Sequence, residues 1–476
     1  MTLDKQYVRR ILMFSVSAIA LAAVASVIIV SEEADAYNSA DYYFSGDIME
    51  SLSDSEGINE KDYSVQWKTE KNVAGYAVVN DYVYVVFRDG DFSKVSIRDG
   101  SIVNTVATGV LSVSDFPAVG DRMVLDPATG TVYDLDLNQL YKIGGGSSQA
   151  YYDNGYWYVV KKDKTCECYP AKDLNPSDPD NVQTLKWSSK FIFYIDGYTL
   201  PVSLAMTEKY IIYPGIGETD SAKRILYCVS KETGQQTDMF EMTEIRGTYW
   251  NSGFIYCEGN TVAVTTHWDN MFANPRLGDY KTIFLVDVDS NGKFVTDSAT
   301  YLSNGYNDSY GSCLVMVDGL GFIQSGLCFS VIDMKTKTII AQTDRDTRLH
   351  KTYSNMSIAV NGDTVRGYVS PAGLPDRFTT AVDGLICFEY NIKTNEIRAF
   401  DLPVGTLGTN NTNSVKIGPQ GEVLFAKNDV KLYCLAGPER ANNGGDSTET
   451  IGVGPIIAVS MLAVLLLGAI VYRNKD

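Results

Sequence analysis

A nine-residue pattern, a β-type run followed by a polar turn, recurs eight times along this chain. A repeat constrains architecture more tightly than any single motif can. The clearest copy is 226–234, LYCVSKETG, where alternation suits a half-buried strand and Gly234 suits a turn position needing φ > 0. Other copies are 92–100 (FSKVSIRDG), 132–140 (VYDLDLNQL), 283–291 (IFLVDVDSN), 329–337 (FSVIDMKTK) and 387–395 (CFEYNIKTN). The copy at 166–174 (CECYPAKDL) is degenerate, and 432–436 (LYCLA) is truncated. Their fifth positions, Ser96, Asp136, Pro170, Ser230, Asp287, Asp333, Asn391 and Ala436, lie 34 to 60 residues apart.

A second signal precedes many copies. Asn80-Asp81, Asn154-Gly155, Gly259-Asn260, Asn361-Gly362 and Gln420-Gly421 each lead into an aromatic or β-branched run. Such dipeptides are hairpin turns. Two hairpin-linked strand signals per unit imply four-stranded antiparallel units, and units repeated around an axis form a β-propeller. The expectation is an all-β, eight-bladed β-propeller. Seven blades are the alternative, with the 166–174 copy merging into its neighbour. The eighth copy has no fourth strand, whereas the run at 64–69 (SVQWKT) is a strand with no unit of its own. Pairing the two closes the ring and leaves no open sheet edge.

The repeat resembles the PQQ-like propeller family of quinoprotein dehydrogenases and outer-membrane assembly-factor propellers, over about residues 64–435. The resemblance implies the fold, which serves enzymes and binding scaffolds alike. Trp67 and Trp187 sit where fourth strands are expected, comparable in place to the family's blade-docking Trp. Absent from the chain are the adjacent cysteines of the quinone enzymes, a C-x-x-C-H haem site, and the lipid-bearing N-terminal Cys of the assembly factors. No cofactor is predicted.

The ends carry membrane signals. Lys5, Arg9 and Arg10 precede an uncharged apolar run at 11–30, and Ala34-Asp35-Ala36 is an A-x-A-like cleavage site. Residues 1–36 are therefore a signal peptide or an uncleaved signal anchor. Residues 451–472 carry no charge and close on Arg473 and Lys475, which predicts a transmembrane helix with a cytoplasmic tail at 473–476. Between them the plan is a flexible acidic leader (37–63), a propeller ectodomain (64–435) and a polar stalk (436–450). The expected location is the cell membrane, with the propeller outside. Sequons at Asn307, Asn355 and Asn410 are candidate glycosylation sites. A net charge of −18 speaks against nucleic-acid partners, and only two histidines, His267 and His350, speak against a His-built metal site.

Cys168, Cys228 and Cys434 share the repeat's third position, which reads as packing between blades rather than reactive thiols. Export permits bridges among Cys257, Cys313, Cys328 and Cys387, and spacing assigns none. Asp173-x-Asn175-x-Ser177-Asp178 lacks the Gly and Glu of a Ca²⁺ loop, and Trp268-Asp269 matches no repeat. The informative loops are those between second and third strands, which propeller topology gathers on one face. Three are long, at 214–224, 267–280 and 370–384, and the connections at 303–311 and 343–354 join them there. Within these loops Trp268, Phe272, Arg276, Tyr306, Tyr310, Arg377 and Phe378 are the candidate anchors for a protein or glycan partner. The leading expectation is a non-enzymatic, membrane-anchored binding scaffold. The alternatives are an extracytoplasmic enzyme working in the funnel (a PQQ-type oxidoreductase, a hydrolase or a lyase) and a tethered assembly factor. His267 near Asp269, or His350 near Asp344 and Asp346, is all an acid–base site has to draw on.

Overall fold

A computed structural model describes residues 52–53, 55–61, 63–110, 117–144, 147–161, 163–171, 182–193, 204–219, 223–244, 254–265, 281–303, 312–325, 327–371, 384–405, 415–427 and 430–437. Within it, all eight copies of the repeat are third strands of four-stranded antiparallel blades. Blades 1 to 7 span residues 73–107, 118–142, 147–190, 205–241, 254–302, 312–342 and 352–403. The degenerate copy is the third strand, Thr165–Pro170, of a complete blade 3, so the count is eight. The chain is an eight-bladed β-propeller.

Blade 8 is assembled from both ends of the propeller. Lys416–Ile417, Val423–Ala426 and Leu432–Ala436 are joined by Ser64–Lys68, which pairs antiparallel with the third strand and sets Trp67 opposite Cys434. First strands of neighbouring blades touch from blade 1 to blade 3 and from blade 4 to blade 8, and Lys416–Ile417 returns to Val73–Val79. The core lies between blades rather than at one centre. Separate apolar clusters fill the interfaces 1–2, 2–3, 3–4, 4–5, 7–8 and 8–1, and one larger cluster spans blades 5, 6 and 7. Each sheet thus buries both faces against its neighbours, which is why first to third strands read as near-continuous apolar runs.

The turn grammar has a direct structural cause. First-to-second-strand hairpins turn at positive-φ residues, among them Asn80 (φ 51°), Asn154 (φ 47°) and Gly362 (φ 56°), conformations Asn and Gly tolerate. The repeat's terminal glycine serves a second purpose, which the two tryptophans explain. Trp187, on the fourth strand of blade 3, donates its indole N–H to the carbonyl of Lys231 at 2.8 Å, in the third-to-fourth turn of blade 4. Its ring lies against Gly234 (φ +70°), where an added Cβ would come within 2.6 Å of Cδ2. Trp67 repeats the arrangement across the closing interface, donating to Ile97 O at 2.7 Å and covering Gly100 (φ +73°). The glycine is needed for both its backbone angle and the close approach of the ring.

One expectation needs correcting. The acidic stretch 37–63 was expected to be a flexible leader, yet Leu52–Ser53 forms a strand on blade 7 and Ile58 is buried. Little periodicity marks it because its contacts run through backbone and single side chains. The terminal runs 11–30 and 451–472 lie outside the described residues. Among those residues no helix is long and apolar enough to cross a membrane. All described residues belong to one compact unit.

Candidate functional site

Antiparallel blades give the propeller two unlike ends. First-to-second and third-to-fourth hairpins share one end, the hairpin face, and second-to-third loops and blade connections share the other, the loop face. The three long second-to-third loops open from the loop face, between Ile216 and Arg224 in blade 4, Thr265 and Ile283 in blade 5, and Pro371 and Gly384 in blade 7. Trp268, Phe272, Arg276, Tyr306, Tyr310, Arg377 and Phe378 lie outside the described residues, as do Asn307, Asn410, His267 and Asp173. Asn355 falls within the first strand of blade 7, Thr352–Asn361, and His350 within the 3-10 turn Thr347–Lys351.

The bases of these loops are described, and they are rigid. In blade 4 the strands run further than the sequence suggested: Tyr210–Ile216 pairs with Arg224–Ser230, leaving a loop of 217–223. Beneath it Tyr213 stands opposite Tyr227 with rings stacked at 5.1 Å. Phe191 from blade 3 stacks on Tyr213 at 4.1 Å and 7°. The Tyr227 hydroxyl donates to Ile216 O at 2.6 Å, tying the loop's two sides together. Stacked aromatics add roughly 0.5–1.5 kcal/mol per pair beyond area burial. This loop therefore grows from a fixed base at the boundary of blades 3 and 4.

The 343–354 connection is pinned rather than open. Arg348 is held by Asp346 at 2.6 Å and by Asp401 of blade 7 at 2.7 Å, and Leu349 is fully buried. Hydrogen bonds from Arg348 to these two carboxylates raise its pKa further above its ordinary value. Its guanidinium is committed to fastening the connection to the fourth strand of blade 7.

The third-position cysteines are buried thiols on separate blades. Burial pushes the Cys228 thiol up to about 11 and the Cys168 thiol up to about 12. A thiol with so little thiolate at neutral pH is a poor nucleophile. Cys257, Cys328 and Cys387 are likewise buried thiols. We expect Cys228→Ala to cost about 1 kcal/mol in urea unfolding. We also expect none of these described thiols to react with a thiol-specific dye until the protein unfolds; labelling of the native state would overturn the packing assignment. Among the described residues no group of three or more His, Cys, Asp or Glu side chains is arranged to hold a metal.

Two features of the described structure escaped the sequence reading. One is the buried pair Lys231–Asp153, at the hairpin-face ends of blades 3 and 4. Its signal was available: Lys231 stands at the repeat's sixth position, where Ile97, Leu137, Val288 and Met334 are buried apolar residues. The other is the strand Leu52–Ser53. The sheet order places it beyond the first strand of blade 7, on the side of the central channel.

Against known proteins, no family model matches, and no curated protein matches. Solved structures do align. The computationally designed Ika8 protein aligns at TM-score 0.49 and 12% identity, covering 78% of this chain and 98% of that one. BamB from Moraxella catarrhalis aligns at 0.46 and 10%, covering 78% and 99%. Sqt1 from Saccharomyces cerevisiae aligns at 0.47 and 11%, covering 79% and 98%. Identities this low carry no statement about function, and the propeller assignment rests on this chain's own strand pairing.

Proposed function

We propose that this protein is an exported, membrane-anchored binding scaffold that engages a protein or glycan through the loop face of its propeller. The observation that carries the reading is the gathering of the three long loops on one end of a closed eight-blade ring. A rigid ring that varies at one end is the arrangement of a recognition module. The third strand of blade 8 ends at Ala436, on the hairpin face rather than among the long loops. The funnel-enzyme alternative draws less support, because Leu52–Ser53 takes up part of the channel wall and the described cysteines are inert.

The test uses the exported portion, residues 37–450, immobilised and exposed to surface extracts and to a glycan array. The wild type is expected to retain a defined partner. The Trp268→Ala/Arg276→Ala double variant should lose at least roughly ten-fold in retention, about 1.4 kcal/mol, as loss of interface anchors does. Its thermal unfolding should match wild type. Undiminished capture by the variant would remove that loop from the binding surface.

A further inference from the structure

The segment 52–68 makes its contacts as a ligand would. Leu52 pairs with Ile358 and Ser53 with Ala359, in parallel with the first strand of blade 7. The chain then crosses the hairpin face towards the rim. Gly57 (φ +68°) lies directly against the Tyr368 hydroxyl and Ala359 Cβ, leaving no room for a side chain. Ile58 is 2% exposed, and the Tyr368 hydroxyl both accepts from its N–H at 2.7 Å and donates to its carbonyl at 2.8 Å. Arg366 donates to Glu56 O at 2.6 Å while Glu389 holds the other side of its guanidinium at 2.7 Å. Arg398 grips Glu60 with two bonds, at 2.9 and 3.2 Å. Beyond it, Ser64–Lys68 adds to blade 8 by strand pairing, and Trp67 seats on Gly100 of blade 1.

Tyr368 is fully buried and Arg366 is 8% exposed. Both belong to blade 7, and both aim their polar atoms at the backbone of residues 56–58. Buried polar groups are costly unless paired, so this groove is built to hold the backbone of residues 56–58. Residues 52–68 thus form a strap over blades 7 and 8. The link that follows, residues 70–72, is solvent-exposed.

We propose that the groove between blades 7 and 8 is a peptide-acceptor site. It reads a glycine at 57, an apolar residue at 58 and an acid at 60, the interface of blades 8 and 1 takes Trp67, and together they can take this segment from a second copy of the chain as well as from its own. Strand addition supplies the affinity, and the Tyr368 and Arg398 contacts supply the register. Exchange of an identical element between protomers is a low-barrier route to a dimer. The ring is thereby closed by a replaceable clasp.

The test is made on the full chain with a protease recognition sequence inserted at 70–72. After cutting, the strap should remain with the propeller on gel filtration. A labelled synthetic peptide of residues 52–69 should then exchange into it. A Gly57→Val peptide should compete at least roughly ten-fold less well, and a Glu60→Lys peptide several-fold less well. Three results would overturn the proposal: loss of the strap on cutting, loss of the folded ring on cutting, or equal competition by the wild-type and Gly57→Val peptides.

Discussion

Replacing Asp153 with alanine should destabilise the protein by about 3–5 kcal/mol, the usual effect of stranding one member of a buried ion pair. Asp153 is fully buried and Lys231 is 7% exposed. The ammonium is held by the Asp153 carboxylate and the Thr207 carbonyl, and without the carboxylate it keeps a charge in a site closed to water. Burial already pulls the Lys231 pKa below its ordinary value, against the opposing pull of Asp153. The other blades indicate what the site tolerates. The position before the hairpin turn is Val79 in blade 1 and the sixth repeat position of the next blade is Leu137, and both lie in the apolar cluster between those blades. The double variant Asp153→Val/Lys231→Met should therefore recover most of the loss, or exceed the wild type, because well-packed apolar residues often replace a buried ion pair at no cost. Urea unfolding of the two single variants and the double gives the coupling directly. A double variant as unstable as the sum of the singles would show that the pair is not what sets the stability of this interface.

The same pair shows how far a sequence can be read. Eight strand-and-turn copies marked eight third strands because the blade interfaces demand apolar residues on both faces there and the turn demands a positive-φ residue such as Gly234 or Asn395. Even CECYPAKDL, the poorest copy, kept Cys166 and Cys168 facing a buried interface. The closing strand was legible because 64–69 had β character and blade 8 lacked an outer strand. The clasp was not, since among the described side chains of residues 52–63 Ile58 is the one buried apolar residue, and the segment is held by Tyr368, Arg366 and Arg398 from more than 300 positions away. No local pattern records such contacts. The 343–354 connection is as long and polar as its neighbours in sequence, but Arg348 ties it to Asp401 on the fourth strand of blade 7. For the seven loop-face anchors, the described strands locate the ends of their loops, and their individual roles rest on residue chemistry.

Trp187→Ala and Trp67→Ala should each cost about 3–5 kcal/mol, the range for removing a large buried aromatic, yet the two should unfold differently. Each indole is 8% exposed, and each bonds a turn carbonyl of the next blade. At Trp187 the flanking blades are continuous in sequence, so the loss falls on an interface both of whose sides remain tethered. At Trp67 the indole sits on a strand whose one sheet partner among the described residues is Leu432–Ala436, at the junction of the two ends of the ring. Losing it loosens the fourth strand of blade 8 from blade 1 as well as removing the contact. Trp187→Ala should shift the urea midpoint with the slope unchanged. Trp67→Ala should lower both midpoint and slope, because the interface between blades 8 and 1 opens before the rest of the ring. Gly234→Val and Gly100→Val should reproduce the two behaviours in turn, since a side chain at either glycine displaces the same indole. Identical slopes for the two tryptophan variants would mean that the non-covalent closure is as cooperative as the covalent connections between blades.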